Sequence, residues 1–93
     1  MKIAFDVDGT LIRKSATGDD VPRYEIIILL ALFSDNQHEV YVWSGSGVDY
    51  AERWCEKLGL KREIFKIVAK GSFVPDVAID DEEVELGKTN IKV

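Results

Sequence analysis

Residues 5–10 read Phe-Asp-Val-Asp-Gly-Thr, FDVDGT: two aspartates one residue apart, with a glycine and a threonine behind them. The lead-in is apolar, and residues 2–7, KIAFDV, suit a pleated surface and stop ahead of Gly9, which predicts a short strand near the start of the chain. Side chains along a strand alternate faces, so Asp6 and Asp8 turn the same way, about 6–7 Å apart if the strand stays regular. Carboxylates held that close repel unless a cation lies between them or one keeps its proton. Alone, the stretch is equally a strand running into an acidic turn, because aspartate before glycine commonly turns a chain. The downstream sequence decides between the two.

Residues 11–20, LIRKSATGDD, have loop chemistry. Residues 19–36, DDVPRYEIIILLALFSDN, combine acids, an early proline and a long apolar run before a Ser-Asp-Asn stop, which predicts a helix. Residues 38–45, HEVYVWSG, alternate and are β-branched and aromatic, a strand ending in a Gly-Ser-Gly turn. In residues 48–60, VDYAERWCEKLGL, Val48, Ala51, Trp54, Cys55 and Leu58 fall at helical spacing, with Gly59 where a helix stops. Two short strands follow, IFKIVA and DVAID, joined by KGSFVP. Strand, helix, strand, helix, strand, strand predicts a small three-layer α/β fold with a mostly parallel sheet and right-handed crossovers. In such sheets the ligand crevice lies at the carboxyl ends of the strands. Those ends carry Asp6 and Asp8, Ser44, Lys70, and Asp80 with Asp81.

At 93 residues, without linker, repeat or low-complexity tract, the chain is expected to form one domain over residues 1–93. Hydrophobic residues make up 46% and charged residues 31%, the composition of a globular domain rather than a disordered chain. The single cysteine, Cys55, excludes an internal disulfide and a thiolate metal knuckle, and it falls on the apolar stripe of its helix. The longest apolar run, residues 26–33, is far short of the roughly 20 residues that span a bilayer. The first residues lack a signal-peptide pattern, so a cytoplasmic location is expected, with no membrane partner. A net charge of −5 disfavours nucleic acid as a partner. The acids cluster at DVD, GDD and IDDEEVE, which suits a divalent cation as well as a solvated surface.

Mg²⁺ resolves the repulsion at Asp6 and Asp8, because it accepts carboxylate oxygens and keeps open positions for a phosphate; Asp80 and Asp81 can complete its site. One carboxylate can then attack phosphorus while the other handles the proton of the leaving group and of water. Ser44 and the backbone of Gly45 and Ser46, at a helix start, suit phosphate oxygens, and Lys70 adds a cation for the developing charge. Lys66 lies close enough in sequence to compete with Lys70 for that role. Asp76 reads as a strand-entry residue, Asp49 as a favourable first-turn acid, and His38 as a turn residue.

The order FDVDGTL, VWSGSG, a lysine, and a hydrophobic strand ending AIDD resembles the haloacid dehalogenase-like (HAD) hydrolase superfamily over nearly the whole chain. The resemblance implies a Rossmann-like fold with Asp6 as the nucleophile that forms an aspartyl phosphate, Asp8 as general acid/base and Thr10 as the support for Asp8. It implies Ser44 and Lys70 as phosphate-binding groups. It assigns Mg²⁺ to Asp6, the backbone carbonyl of Asp8, Asp80 and Asp81. The second aspartate of the pair points within that superfamily to phosphatases and phosphotransferases rather than dehalogenases. The likeness is nearest to small members in which no helix separates the lysine from the acid pair, as in KGSFVPDVAIDD. Such members often carry an arginine after the acid pair and another two positions past the serine, where this chain has Glu82 and Ser46. Too few residues are available for a cap domain at either usual insertion point.

The expected activity is therefore a Mg²⁺-dependent phosphatase with an open mouth, acting on a small phosphorylated molecule or on a phosphate exposed on a larger partner. A second subunit could cover that mouth. The alternatives are transfer of the phosphoryl group to an alcohol, and a catalytically silent module that binds phosphate or metal.

Overall fold

The computed structural model describes residues 1–93, in the order β1 (Lys2–Asp6), β2 (Ile12–Arg13), β3 (Val21–Pro22), α1 (Tyr24–Asp35), β4 (Glu39–Trp43), α2 (Val48–Lys57), a 3₁₀ turn (Arg62–Ile64), β5 (Lys66–Ile67), β6 (Val77–Asp80) and β7 (Thr89–Lys92). After Lys2, every residue of β1 is buried, the mark of a central strand covered on both faces. Five strands form one sheet in the order β5-β4-β1-β6-β7, and all four pairings are parallel. Ile3 lies opposite Val40 on one side and Val77 on the other, so the two sequence-distant neighbours of β1 are set in one register. The architecture is α/β with a mostly parallel sheet and two helices.

One face of the sheet presents Ile3, Phe5, Val40 and Val42, which pack in a single cluster with Ile26 and Leu30 of α1 and Ala51 and Cys55 of α2. Both helices therefore lie on that face. The reason is topological: β1 to β4 and β4 to β5 step across the sheet in one direction, and crossovers of one hand put their helices on one side. The opposite face presents Ala4, Trp43 and Ala78, and it is covered by Val68, Phe73 and Leu86 from irregular chain. The second covering layer thus contains no helix, because the return from β5 to β6 is made by a loop. Phe73 anchors it, with its ring 4.6 Å from Tyr41 and 5.7 Å from Trp43.

Several boundaries differ from the sequence reading. The first helix starts at Tyr24 rather than among the acids at 19–20, and Pro22 sits in β3 instead of opening the helix. β3 pairs antiparallel with β2 in a small hairpin, where an edge strand tolerates a proline, and the Arg23 N–H donates to the Leu11 carbonyl at 2.8 Å. Val48, counted on the buried stripe of α2, is 41% exposed. β7 has no counterpart in the sequence reading: its four residues are all exposed, so no apolar pattern marks it. It is held by backbone pairing to β6 and by Gly87, where a Cβ would come within 2.8 Å of the Ala78 nitrogen. No helix is long and apolar enough to cross a membrane.

Candidate active site

The sheet order changes direction at β1, since the chain first builds outward through β4 and β5 and then returns to β6 on the other side. Beyond the carboxyl ends of these strands lies a cavity of about 430 Å³, whose lining contains no hydrophobic residue. This is the crevice expected of such a sheet. Asp6 closes β1 and Asp80 closes β6, so the parallel pairing of the two strands brings together carboxylates 74 residues apart in sequence. Ser44 follows directly after β4, and Lys70 arrives on the loop after β5. Asp6, Asp8, Ser44, Gly45, Lys70, Asp80 and Asp81 all line the cavity.

Lys70 is the hub of the arrangement. Its Nζ donates to Asp6 Oδ1 at 3.1 Å and to Asp80 Oδ2 at 2.9 Å, while Lys66 is exposed on β5. The other Asp80 oxygen accepts the Glu82 N–H at 3.0 Å, which fixes the carboxylate plane. Burial pushes the Asp6 carboxyl up to about 6, with the charge of Asp80 adding to the rise and Lys70 opposing it. For Lys70, burial acts downward but is outweighed by the hydrogen bonds and charges of Asp80 and Asp6, so the ammonium is held above its ordinary range. Asp81 is also raised, by burial and then by the adjacent Asp80 carboxyl.

Asp6, Asp80 and Asp81 offer carboxylate oxygens that all lie within 4.8 Å of one another. The donor set is entirely carboxylate, with no histidine or cysteine, which suits a hard cation such as Mg²⁺ or Ca²⁺ rather than zinc. Gly9, at a φ of 80°, makes room for it: a Cβ there would overlap the Asp81 carboxylate. The Asp8 carboxylate falls outside this cluster. It is turned instead to Tyr50, whose hydroxyl donates to Asp8 Oδ1 at 2.5 Å, and to Lys14, 3.9 Å away.

Two placements depart from the sequence reading, Thr10 and the hairpin cations, while Ser44 lines the cavity and also shapes a turn. Thr10 is fully buried and does not line the cavity, and its Oγ1 has no hydrogen-bond partner, so it gives Asp8 no bond. Its backbone N–H instead bonds to the Val7 carbonyl at 3.1 Å, in a tight turn where Leu11 and Ile12 bond to the same oxygen. Ser44 is 4% exposed, and its Oγ accepts the Ser46 N–H at 3.1 Å, which shapes the turn into α2. Two cations that the sequence reading did not place there, Arg13 and Lys14, line the cavity from the β2–β3 hairpin. Lys14 is held there by Asp20 at 3.1 Å and by the Tyr50 hydroxyl at 3.5 Å. Tyr50, Arg13 and Lys14 carry no motif; only the pairing of Ile12–Arg13 with Val21–Pro22 turns this hairpin toward the site.

No family model matches the sequence, and no solved structure matches it. A probable alpha,alpha-trehalose-phosphate synthase (UDP-forming) 8 from Arabidopsis thaliana is 34% identical over 64 residues. That match takes in 66% of this chain but 8% of the plant protein, so the chain spans a small part of that relative's length.

Proposed function

We propose that the chain is a Mg²⁺-dependent phosphomonoester hydrolase with a Rossmann-like, HAD-type fold that works through an aspartyl phosphate on Asp6. The observation that carries the reading is the convergence of Asp6, Asp8, Ser44, Lys70, Asp80 and Asp81 on one polar cavity at the carboxyl edge of the sheet. Four separate segments supply them, and a merely acidic surface gives no reason for a lysine to be bonded between two buried carboxylates. Held by Asp6, Asp80 and Asp81, a divalent cation would neutralise phosphoryl oxygens and favour the ionised form of Asp6.

The chain's own residues then divide the work. Asp6, fixed at the end of the most buried strand, presents a carboxylate oxygen for attack on phosphorus. Lys70 keeps that carboxylate aimed and shares its charge with phosphoryl oxygens as they become more negative. Ser44 and the backbone of Gly45, at the turn into α2, receive the remaining oxygens, aided by the positive end of that helix. Asp8 sits beside them to give a proton to the leaving oxygen and to take one from water in the second step.

A hydroxyl-rich ester is the first substrate to try, since the cavity offers polar groups and no apolar wall for a base or an aryl ring. The plant relative's name describes the making of a sugar phosphate, which agrees with that choice. The test is phosphate release from a panel of monoesters with Mg²⁺, beside EDTA and an Asp6→Asn variant. Either treatment should reduce release to background, and full activity after either contradicts the reading. Addition of an alcohol acceptor separates transfer from hydrolysis by its products.

A further inference from the structure

Tyr50 belongs to none of the motifs above, yet it makes the shortest contact to a proposed catalytic group. It stands in the first turn of α2, half-buried against the core cluster, with its hydroxyl against Asp8 and Lys14, both of which line the cavity. That hydroxyl donates to Asp8 Oδ1 at 2.5 Å and accepts from Lys14 Nζ at 3.5 Å, while the Thr10 hydroxyl makes no bond. The donor to Asp8 thus comes from a helix 42 residues away, and the hairpin lysine holds that donor in turn. Resting on the phosphatase reading, we propose that Tyr50 is the positioning residue of the acid/base: it fixes one oxygen of Asp8 so that the other faces the leaving group.

In the first step an oxygen of Asp6 bonds to phosphorus, the bond from phosphorus to the leaving oxygen breaks, and the Asp8 proton passes to that oxygen. In the second, water attacks phosphorus, the bond from phosphorus to Asp6 breaks, and Asp8 recovers a proton from the water. Tyr50 keeps its own proton throughout and acts only through the direction of Asp8. Its value therefore depends on how much the leaving group needs a proton. A nitrophenolate leaves without one; an alkoxide does not.

The test compares kcat/KM of wild type and Tyr50→Phe on 4-nitrophenyl phosphate and on glycerol phosphate, because kcat/KM reports the step that forms the bond to Asp6. Phenylalanine keeps the ring in the core and removes only the hydroxyl. The expected result is a loss of about tenfold or more on the alkyl ester with the aryl ester within about twofold of wild type. Equal loss on both esters, or no loss on either, overturns the proposal while leaving the phosphatase reading intact. A wild type inert towards every ester overturns that reading and the proposal with it. Partial unfolding of the variant lowers both rates alike, so the ratio of the two reports position rather than stability.

Discussion

The Thr10 hydroxyl is enclosed by the turn after β1 and has no partner, a condition that costs about 1–3 kcal/mol for a buried polar group. Thr10→Val replaces it with a methyl of nearly the same shape. The variant should unfold at higher urea concentration, by about 1 kcal/mol, and an unchanged or lower stability would mean that the hydroxyl is satisfied in solution. Gly9→Ala should act in the opposite sense, because a methyl there needs a strained φ of 80° and occupies the place of the Asp81 carboxylate. Loss of cation affinity by isothermal titration, greater than any loss of folded protein, is the outcome expected of that change. Cys55 is 1% exposed, and burial pushes its thiol up to about 12. The contribution of that raised thiol to stability is fully present below about 9 and is lost as pH rises from there through about 12, so native protein should resist a disulfide reagent at pH 8 and react only when unfolded.

At the scale of elements, sequence legibility followed burial. β1, β4 and β6 announce themselves because their side chains are buried and β-branched or aromatic, and with them came Asp6, Ser44, Asp80 and Asp81. Between Lys70 and Lys66 the sequence does not choose; the loop after β5 does, by bringing Lys70 between Asp6 and Asp80. In sequence the hairpin of β2 and β3 reads as loop and helix start, since two-residue strands carry no periodicity and a proline beside acids looks like a helix entry. The cations Arg13 and Lys14 were missed with it. β7 was missed because nothing in it is buried. Tyr50 was missed because a tyrosine in the first turn of an amphipathic helix is more often core than site. The hairpin's role can be measured: Arg13→Ala should raise KM several-fold with a smaller change in kcat, as befits a rim residue whose side chain is 67% exposed. A fall in kcat alone would instead put Arg13 at the reacting atoms.

At the scale of the whole molecule, a chain of net charge −5 gathers three carboxylates in a site partly neutralised by one lysine. A divalent cation that binds this folded site and not the unfolded chain should raise stability by about 2.7 kcal/mol at one hundred times its Kd. The cation-free protein should show the opposite pH trend to the loaded one. Asp6 titrates near 6 when folded against 3.8 when unfolded, so its contribution to stability is fully present below about 3.8 and is lost as pH rises through about 6. Over the same interval cation affinity should climb, as the proton on Asp6 ceases to compete, and level off above it. Urea unfolding and cation titration between pH 4 and 8 check both trends, and a cation affinity flat across that range contradicts them.

The most direct test of the central claim is to look for the phosphoryl group on the protein. Wild type mixed with a turning-over phosphomonoester and Mg²⁺, quenched in acid and digested, should yield the peptide containing FDVDGT with the mass of one added phosphoryl group at Asp6. The adduct should be absent without Mg²⁺ and absent in Asp6→Asn. Phosphate release that continues in Asp6→Asn, or an adduct on any other residue, would contradict the account.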